Sequence, residues 1–227
     1  MLRRYRPRKT RTSPASGQRF VRLGLALAAV AFAALPLVAD TPTARAAGGS
    51  GGVITIRGEI SDIMRDSISR RLDEALAARA STVIFELDTP GGLVTSALDI
   101  CRIIKNVPDG VRTVAWVHPE AYSAGAMIAV ACDEIWMSPS SSVGDCAPIM
   151  VAPTGPVELG DAERAKVESP ILQEFRDSAT RNGYDPLLSR AMVAVGEEVW
   201  WLERTSNPDE RRFVATKDKE KLVDEPE

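Results

Sequence analysis

Between Val53 and Met137 the spacing of apolar side chains changes period repeatedly. "VITIRG" (Val53 to Gly58) alternates as a strand does, and Ile60, Met64, Ile68, Leu72 and Leu76 then recur at the repeat of one helix face. "TVIFEL" is a short β-branched run that stops at the turn cluster "DTPGG". "LVTSALDICRIIKN" returns to helical spacing through Leu93, Ala97, Ile100 and Ile104 until Pro108 and Gly110 break it. "RTVAWV" reads as a buried strand, "SAGAMIAVAC" as a short apolar helix and "EIWM" as a further strand. Strand and helix alternating in units of about 30 residues imply right-handed crossovers and an α/β fold with a largely parallel sheet. No internal repeat is present.

The N-terminal segment has a different pattern. "MLRRYRPRKTRTSPASGQRFVR" is strongly basic, Leu23 to Ala39 is an uncharged apolar run, and "TARAA" offers a small-x-small site ending at Ala46. This is the layout of an export signal; an apolar run of about 17 residues broken by Pro36 is at the lower limit for a retained spanning anchor. In either case the positive-inside rule keeps the basic flank cytoplasmic and places the body on the far side of the inner membrane. "GGSGG" reads as a flexible joint.

Composition removes several classes of function. The chain has 227 residues and a net charge of −3, with its basic cluster confined to the N-terminus, so no nucleic-acid footprint recurs in the body. One histidine and three cysteines cannot assemble a structural zinc set or a disulfide framework, and neither metal nor cofactor is expected. A Cys132 to Cys146 bridge after export is the alternative to small buried thiols.

In a parallel sheet, ligands bind beyond the carboxyl ends of the strands, which brings two loops to one rim. Asp88 to Gly92 follows one strand and Tyr122 to Gly125 the next, so Gly91, Gly92 and Ser123 are expected to meet there. A Gly-Gly pair lets backbone N–H groups approach a ligand, and a helix N-terminus beside the serine adds further donors, which are the parts of an oxyanion hole. On that reading a side chain at Gly92 would crowd the place of a scissile carbonyl. The residues alone leave Ser123 open as a cap, a packing residue or a nucleophile. A nucleophile needs a base, and the only histidine, His118, sits in the same segment, where a triad histidine is not normally found. A neutral lysine can take the proton if an apolar pocket disfavours its charged form. After Lys105 the next lysine is Lys166, at the start of a helical pattern.

"VIFELDTPGGLVTSALDICRIIKN", "YSAGAMIAVACDEIWMSPSSSVGDCAPI" and the later K…Q…F…NG segment resemble the ClpP-class membrane serine proteases of the NfeD family, related to signal peptide peptidase A. The similarity runs from about Val53 to about Val193. It implies a ClpP/crotonase-like β-β-α superhelix and a Ser-Lys dyad endopeptidase acting at the membrane on hydrophobic protein segments. By position it makes Ser123 the nucleophile, Lys166, 43 residues on, the base, and the backbone N–H groups of Gly92 and Ala124 the oxyanion donors. His118 has no role in the family. The implied partner is a polypeptide substrate, with a homo-oligomer left open.

The resulting organisation is a signal or anchor (1–47), a Gly-rich joint (48–52), the protease-like domain (53–217) and a charged, frayed tail (218–227). The resemblance fades at the C-terminal end, where Val199 to Leu202 and Arg211 to Ala215 flank "TSNPDE" as a hairpin would and Trp200 and Trp201 are expected to pack it on the domain. The missing family elements imply either a short or truncated member or a C-terminal part carried by a separate chain. Besides the protease, a catalytically silent scaffold of the same fold and an acyl-CoA enzyme of the crotonase type are the competing readings. The last has no need of Ser123 or Lys166.

Overall fold

The computed structural model describes residues 50–152, 155–157, 159–204 and 207–223. Strands β1 (Gly51–Arg57), β2 (Thr82–Thr89), β3 (Arg112–Tyr122) and β4 (Glu134–Met137) lie side by side in chain order, all parallel. Helices α1 (Asp62–Ala77), α2 (Val94–Lys105) and α3 (Ala124–Ala131) are the crossovers. β3 is long enough for two partners. Its first half pairs with β4, and its last turn before the serine pairs with β5 (Ser142–Gly144), again parallel. The α/β class and the mainly parallel sheet read from the sequence are therefore present.

Burial follows the strand period. In β2, Val83, Phe85, Leu87 and Thr89 are buried while their neighbours are half-buried. The buried side joins Ile54 and Ile56 of β1 and Ala115 and Val117 of β3 in one core with Ile68, Leu72, Ile100 and Ile104 of the helices. Each such side chain contributes on the order of 2 kcal/mol on leaving water. The opposite face carries polar pairs across the strands, Thr55 to Glu86 at 2.8 Å and Arg57 to Asp88 at 3.0 Å. α3 has no solvent face: all eight of its residues are buried.

The remaining described elements are β6 (Met150–Ala152) and β7 (Gly155–Val157), an antiparallel pair; α4 (Asp161–Asn182); α5 (Pro186–Ala191); the hairpin β8 (Val199–Arg204) and β9 (Asn207–Ala215); and α6 (Thr216–Val223). α4 is anchored from its second half. Ile171, Phe175, Ser178 and Ala179 are buried, Glu174 holds Lys105 of α2 at 2.6 Å, and Asn182 donates to the carbonyls of Val130 and Cys132 at the end of α3. Its first turns are largely exposed, and Pro170 inside the helix has no N–H for the carbonyl of Lys166.

Two boundaries differ from the sequence reading. Gly51 and Gly52, assigned to the flexible joint, open β1 and pair with Thr82 and Val83. A Cβ on Gly52 would sit 2.9 Å from that of Ala75, so glycine here lets α1 lie close to the sheet. Thr216–Val223, assigned in part to a frayed tail, is helical, because Lys219 lies over the Trp200 ring and the Thr216 hydroxyl accepts the Trp200 indole N–H at 3.1 Å. The two tryptophans pack within the hairpin and on α6, with Trp201 4.6 Å from Phe213, and stay 39% and 47% exposed. The signal or anchor segment lies outside the described residues. No described helix is long and apolar enough to cross a membrane.

Candidate active site

Ser123 turns the chain from β3 into α3 with φ 52° and ψ −115°, a conformation that residues with a side chain rarely adopt. Holding it costs on the order of 1–3 kcal/mol, and such strain persists only where surrounding contacts enforce it. The Ser123 N–H donates to the Gly144 carbonyl at 2.8 Å, so β5 pins the turn from one side. Its own carbonyl accepts from the Met127 N–H at 3.2 Å. The side chain, half-buried at the rim, makes no capping bond to the helix it precedes. The cap reading therefore fails, and the hydroxyl is left facing the loop after β2.

In that loop Gly91 lies directly against the serine: a Cβ there would fall 2.6 Å from the Ser123 Cβ and 3.1 Å from its Oγ. Gly92 is bridged to Ile60 in the parallel sense, through Ile60 N–H to Gly91 O and Leu93 N–H to Ile60 O, both 2.8 Å. That pattern uses the groups on either side of Gly92 and leaves its own N–H without an acceptor among the described residues. The Ala124 N–H, at the first position of α3, is likewise without one. Two unspent donors thus lie in the loop that touches the serine and in the residue after it, the latter at the positive end of a helix. One expectation needs correcting. The space a Gly92 side chain would enter belongs to the Ile60 backbone, not to a substrate carbonyl.

The two candidate bases are placed differently. His118 is exposed, stacks on Trp116 with ring centroids 5.2 Å apart, and has its Nδ1 3.0 Å from the Ser138 hydroxyl. It belongs to the β3–β4 border, and no hydrogen bond joins it to Ser123 among the described residues. Lys166 is also exposed, on the free first turns of α4, and no hydrogen bond or ion pair joins it to Ser123 among the described residues. At about 100° per residue it lies some 140° around the helix from the buried Ile171, which is why the apolar pocket foreseen for it is not met.

Sequence reasoning passed over Thr89, read only as a turn letter in "DTPGG", and Gly144, whose carbonyl fixes the serine. It also missed why the NG pair matters: Asn182 and the Tyr184 hydroxyl, the latter at 3.0 Å from the Cys132 carbonyl, close the far end of α3.

All three cysteines are free and buried. Each donates to a carbonyl of α3 or its cap: Cys101 to Met127, Cys132 to Ile128 and Cys146 to Ser123, all at 3.5 Å. The Cys132 to Cys146 bridge is absent because the two thiols serve opposite ends of a helix about 12 Å long, whereas a disulfide needs Cα atoms within about 7 Å. Burial pushes the Cys146 thiol up to about 12 and raises those of Cys101 and Cys132 as well. Because the folded values lie above the unfolded one, this contribution to stability is complete below about pH 8.5 and is lost as pH rises above it. Thermal melts should therefore show stability falling from about pH 9 by up to about 1.4 kcal/mol per pH unit per thiol, with a shallower slope in Cys132→Ala. Equal slopes in the two proteins would contradict the burial of that thiol.

The chain is similar to several known proteins. The family model described as NfeD1b, N-terminal domain, matches residues 52–208. The chain is 33% identical over 141 residues to the membrane protein NfeD1b of Bacillus subtilis (strain 168), covering 62% of this chain and 30% of that protein. It is 34% identical over 101 residues to the membrane-bound protease PH1510 of Pyrococcus horikoshii, covering 43% of this chain and 22% of that protein. The chain thus spans less than a third of the length of either relative. A solved structure of a mutant 1510-N membrane-bound stomatin-specific protease in complex with a substrate peptide superposes with a TM-score of 0.56 at 25% identity, covering 65% of this chain and 67% of that one. The two chains share a fold over that length. With well over half of its residues matched by one family model, the chain belongs to the NfeD1b N-terminal domain family.

Proposed function

We propose that this domain is a serine endopeptidase working at the membrane on hydrophobic or membrane-adjacent polypeptide, from the far side of the inner membrane. The observation that carries the reading is the strained Ser123 turn, whose uncapped hydroxyl lies against Gly91, the residue before the unspent Gly92 N–H, and just before the unspent N–H of Ala124. The Ser123 Oγ attacks the scissile carbonyl as its proton passes to the Lys166 amine, and the two N–H groups hold the resulting oxyanion. Collapse returns the proton from Lys166 to the departing amine and leaves an acyl-enzyme, which water then hydrolyses by the same steps. The lysine reaches the serine when the exposed first turns of α4 fold over the rim about Pro170. Exposed apolar side chains, Leu93 next to Gly92 at 49% and Ile63, three residues after the bridged Ile60, at 83%, suit an apolar substrate. The peptide-bound 1510-N relative supports a polypeptide as the substrate class.

The exposure of Lys166 favours a second reading, a binding or scaffold domain of the same fold. A fluorophosphonate probe separates the two. The folded protein should label at Ser123, Lys166→Ala should reduce the labelling rate by at least about 100-fold, and His118→Ala should leave it within about twofold. A folded protein that fails to label would leave the scaffold.

A further inference from the structure

We propose that Thr89 is a positioning residue that aims the Gly92 N–H at the oxyanion. The proposal rests on the hydrolase reading of Ser123. Thr89 is fully buried at the last position of β2, and its one hydroxyl meets backbone groups of two segments, including a long 3.4 Å approach to the Gly91 carbonyl. Oγ1 donates to the Gly58 carbonyl at 2.6 Å, just past the end of β1, and accepts from the Gly91 N–H at 3.1 Å. The methyl is placed too: Cγ2 lies 2.5 Å from where a Cβ on Gly125 would stand, so it fills the gap left by the glycine two residues after the serine. One side chain therefore touches β1's exit, the Gly-Gly loop and the base of α3.

This arrangement decides which amide is free. Gly91 lies nearer the serine, and its N–H would compete for a bound carbonyl, but the Thr89 hydroxyl has already taken it. With the Gly91 N–H turned toward Thr89 and the Gly91 carbonyl bound to Ile60, both peptide planes around Gly91 are fixed and the Gly92 N–H is left pointing away from the ladder. A hydroxyl is required for this. Valine has nearly the same shape but would leave the Gly58 carbonyl and the Gly91 N–H without partners and free the peptide to rotate.

The test compares Thr89→Val with Thr89→Ser under a fluorophosphonate, reading the saturation constant KI and the maximal rate kinact separately. Thr89→Val should lower kinact by about 100-fold with KI within about threefold, the pattern of a displaced transition-state donor. Thr89→Ser, which keeps the hydroxyl, should recover to within about fivefold of wild type. Amide exchange supplies a readout that needs no activity: the Gly91 N–H should lose protection in Thr89→Val and regain it in Thr89→Ser. Wild-type labelling with equal kinact in all three proteins would overturn the positioning role alone. A wild-type protein that does not label would overturn the hydrolase reading and this role with it. If Thr89→Val is too unstable to assay, a Thr89→Ser protein with the valine-like defect would overturn the proposal, since the methyl would then be what matters.

Discussion

Ser123→Ala is expected to abolish probe labelling and peptide hydrolysis, and Ser123→Gly to do the same while melting higher than Ser123→Ala. Removing a nucleophile removes the acyl-enzyme route altogether, a loss of about a million-fold where such residues act as a unit. The stability result comes from a different cause. Alanine must still hold φ 52° and ψ −115° and keeps the strain, whereas glycine enters that region without meeting its own Cβ. Part of the gain is offset because glycine has more freedom to lose on folding. A net advantage of about 1 kcal/mol for glycine over alanine corresponds to about 2–4 °C in a domain of this size. Equal melting temperatures for the two variants would show that the turn carries no strain in solution and would remove the main physical argument for a built nucleophile site.

Gly92→Ala should fail as a fold before it fails as an enzyme. The added methyl would overlap the Ile60 carbonyl and stand 2.6 Å from the Ile60 nitrogen, both backbone atoms in a bridge that cannot move without breaking. The position also has φ 150°, which disfavours any side chain. Overpacking and backbone strain together are expected to cost about 3 kcal/mol or more, lowering the melting temperature by roughly 6–12 °C. A Gly92→Ala protein that melts within a degree or two of wild type would mean the Ile60 bridge is not formed in solution. It would also free Gly92 for the role first read from the sequence, in which a side chain obstructs the substrate.

These two positions show what the sequence could and could not convey. The strands and crossovers were legible because Val83, Phe85 and Leu87, or Ile100 and Ile104, repeat at periods that only one secondary structure satisfies. The meeting of Ser123 with the Gly-Gly loop followed from strand order alone, since both loops leave the same end of neighbouring parallel strands. The partner of Gly92 did not, because the Ile60 bridge joins residues whose pairing depends on how the chain leaves β1. Thr89 was hidden for the same reason: its acceptor, Gly58, is 31 residues away. For Lys166 the letters give helical phase only relative to an anchor, and Ile171 became one only through its burial. In the tail, "EEVWWLER" could be seen as a strand, but the helix that Trp200 holds against it depended on a contact between Lys219 and a ring.

The burial of α3 on every side sets how this site can diversify. A helix with a wet face offers positions where substitutions are nearly neutral and can accumulate, whereas each of Ala124 to Ala131 meets a neighbour, and a larger residue at any of them must be matched by a change elsewhere. The run is consequently small-residue rich, with Ala124, Gly125, Ala126, Ala129 and Ala131 leaving no volume to spare. Substitutions with little cost are thereby displaced onto segments with slack, such as the exposed Ile149 and Met150 that follow β5 and the outward surface of α4. The helix that follows Ser123 therefore tolerates little change, and the slack lies in the surface around it.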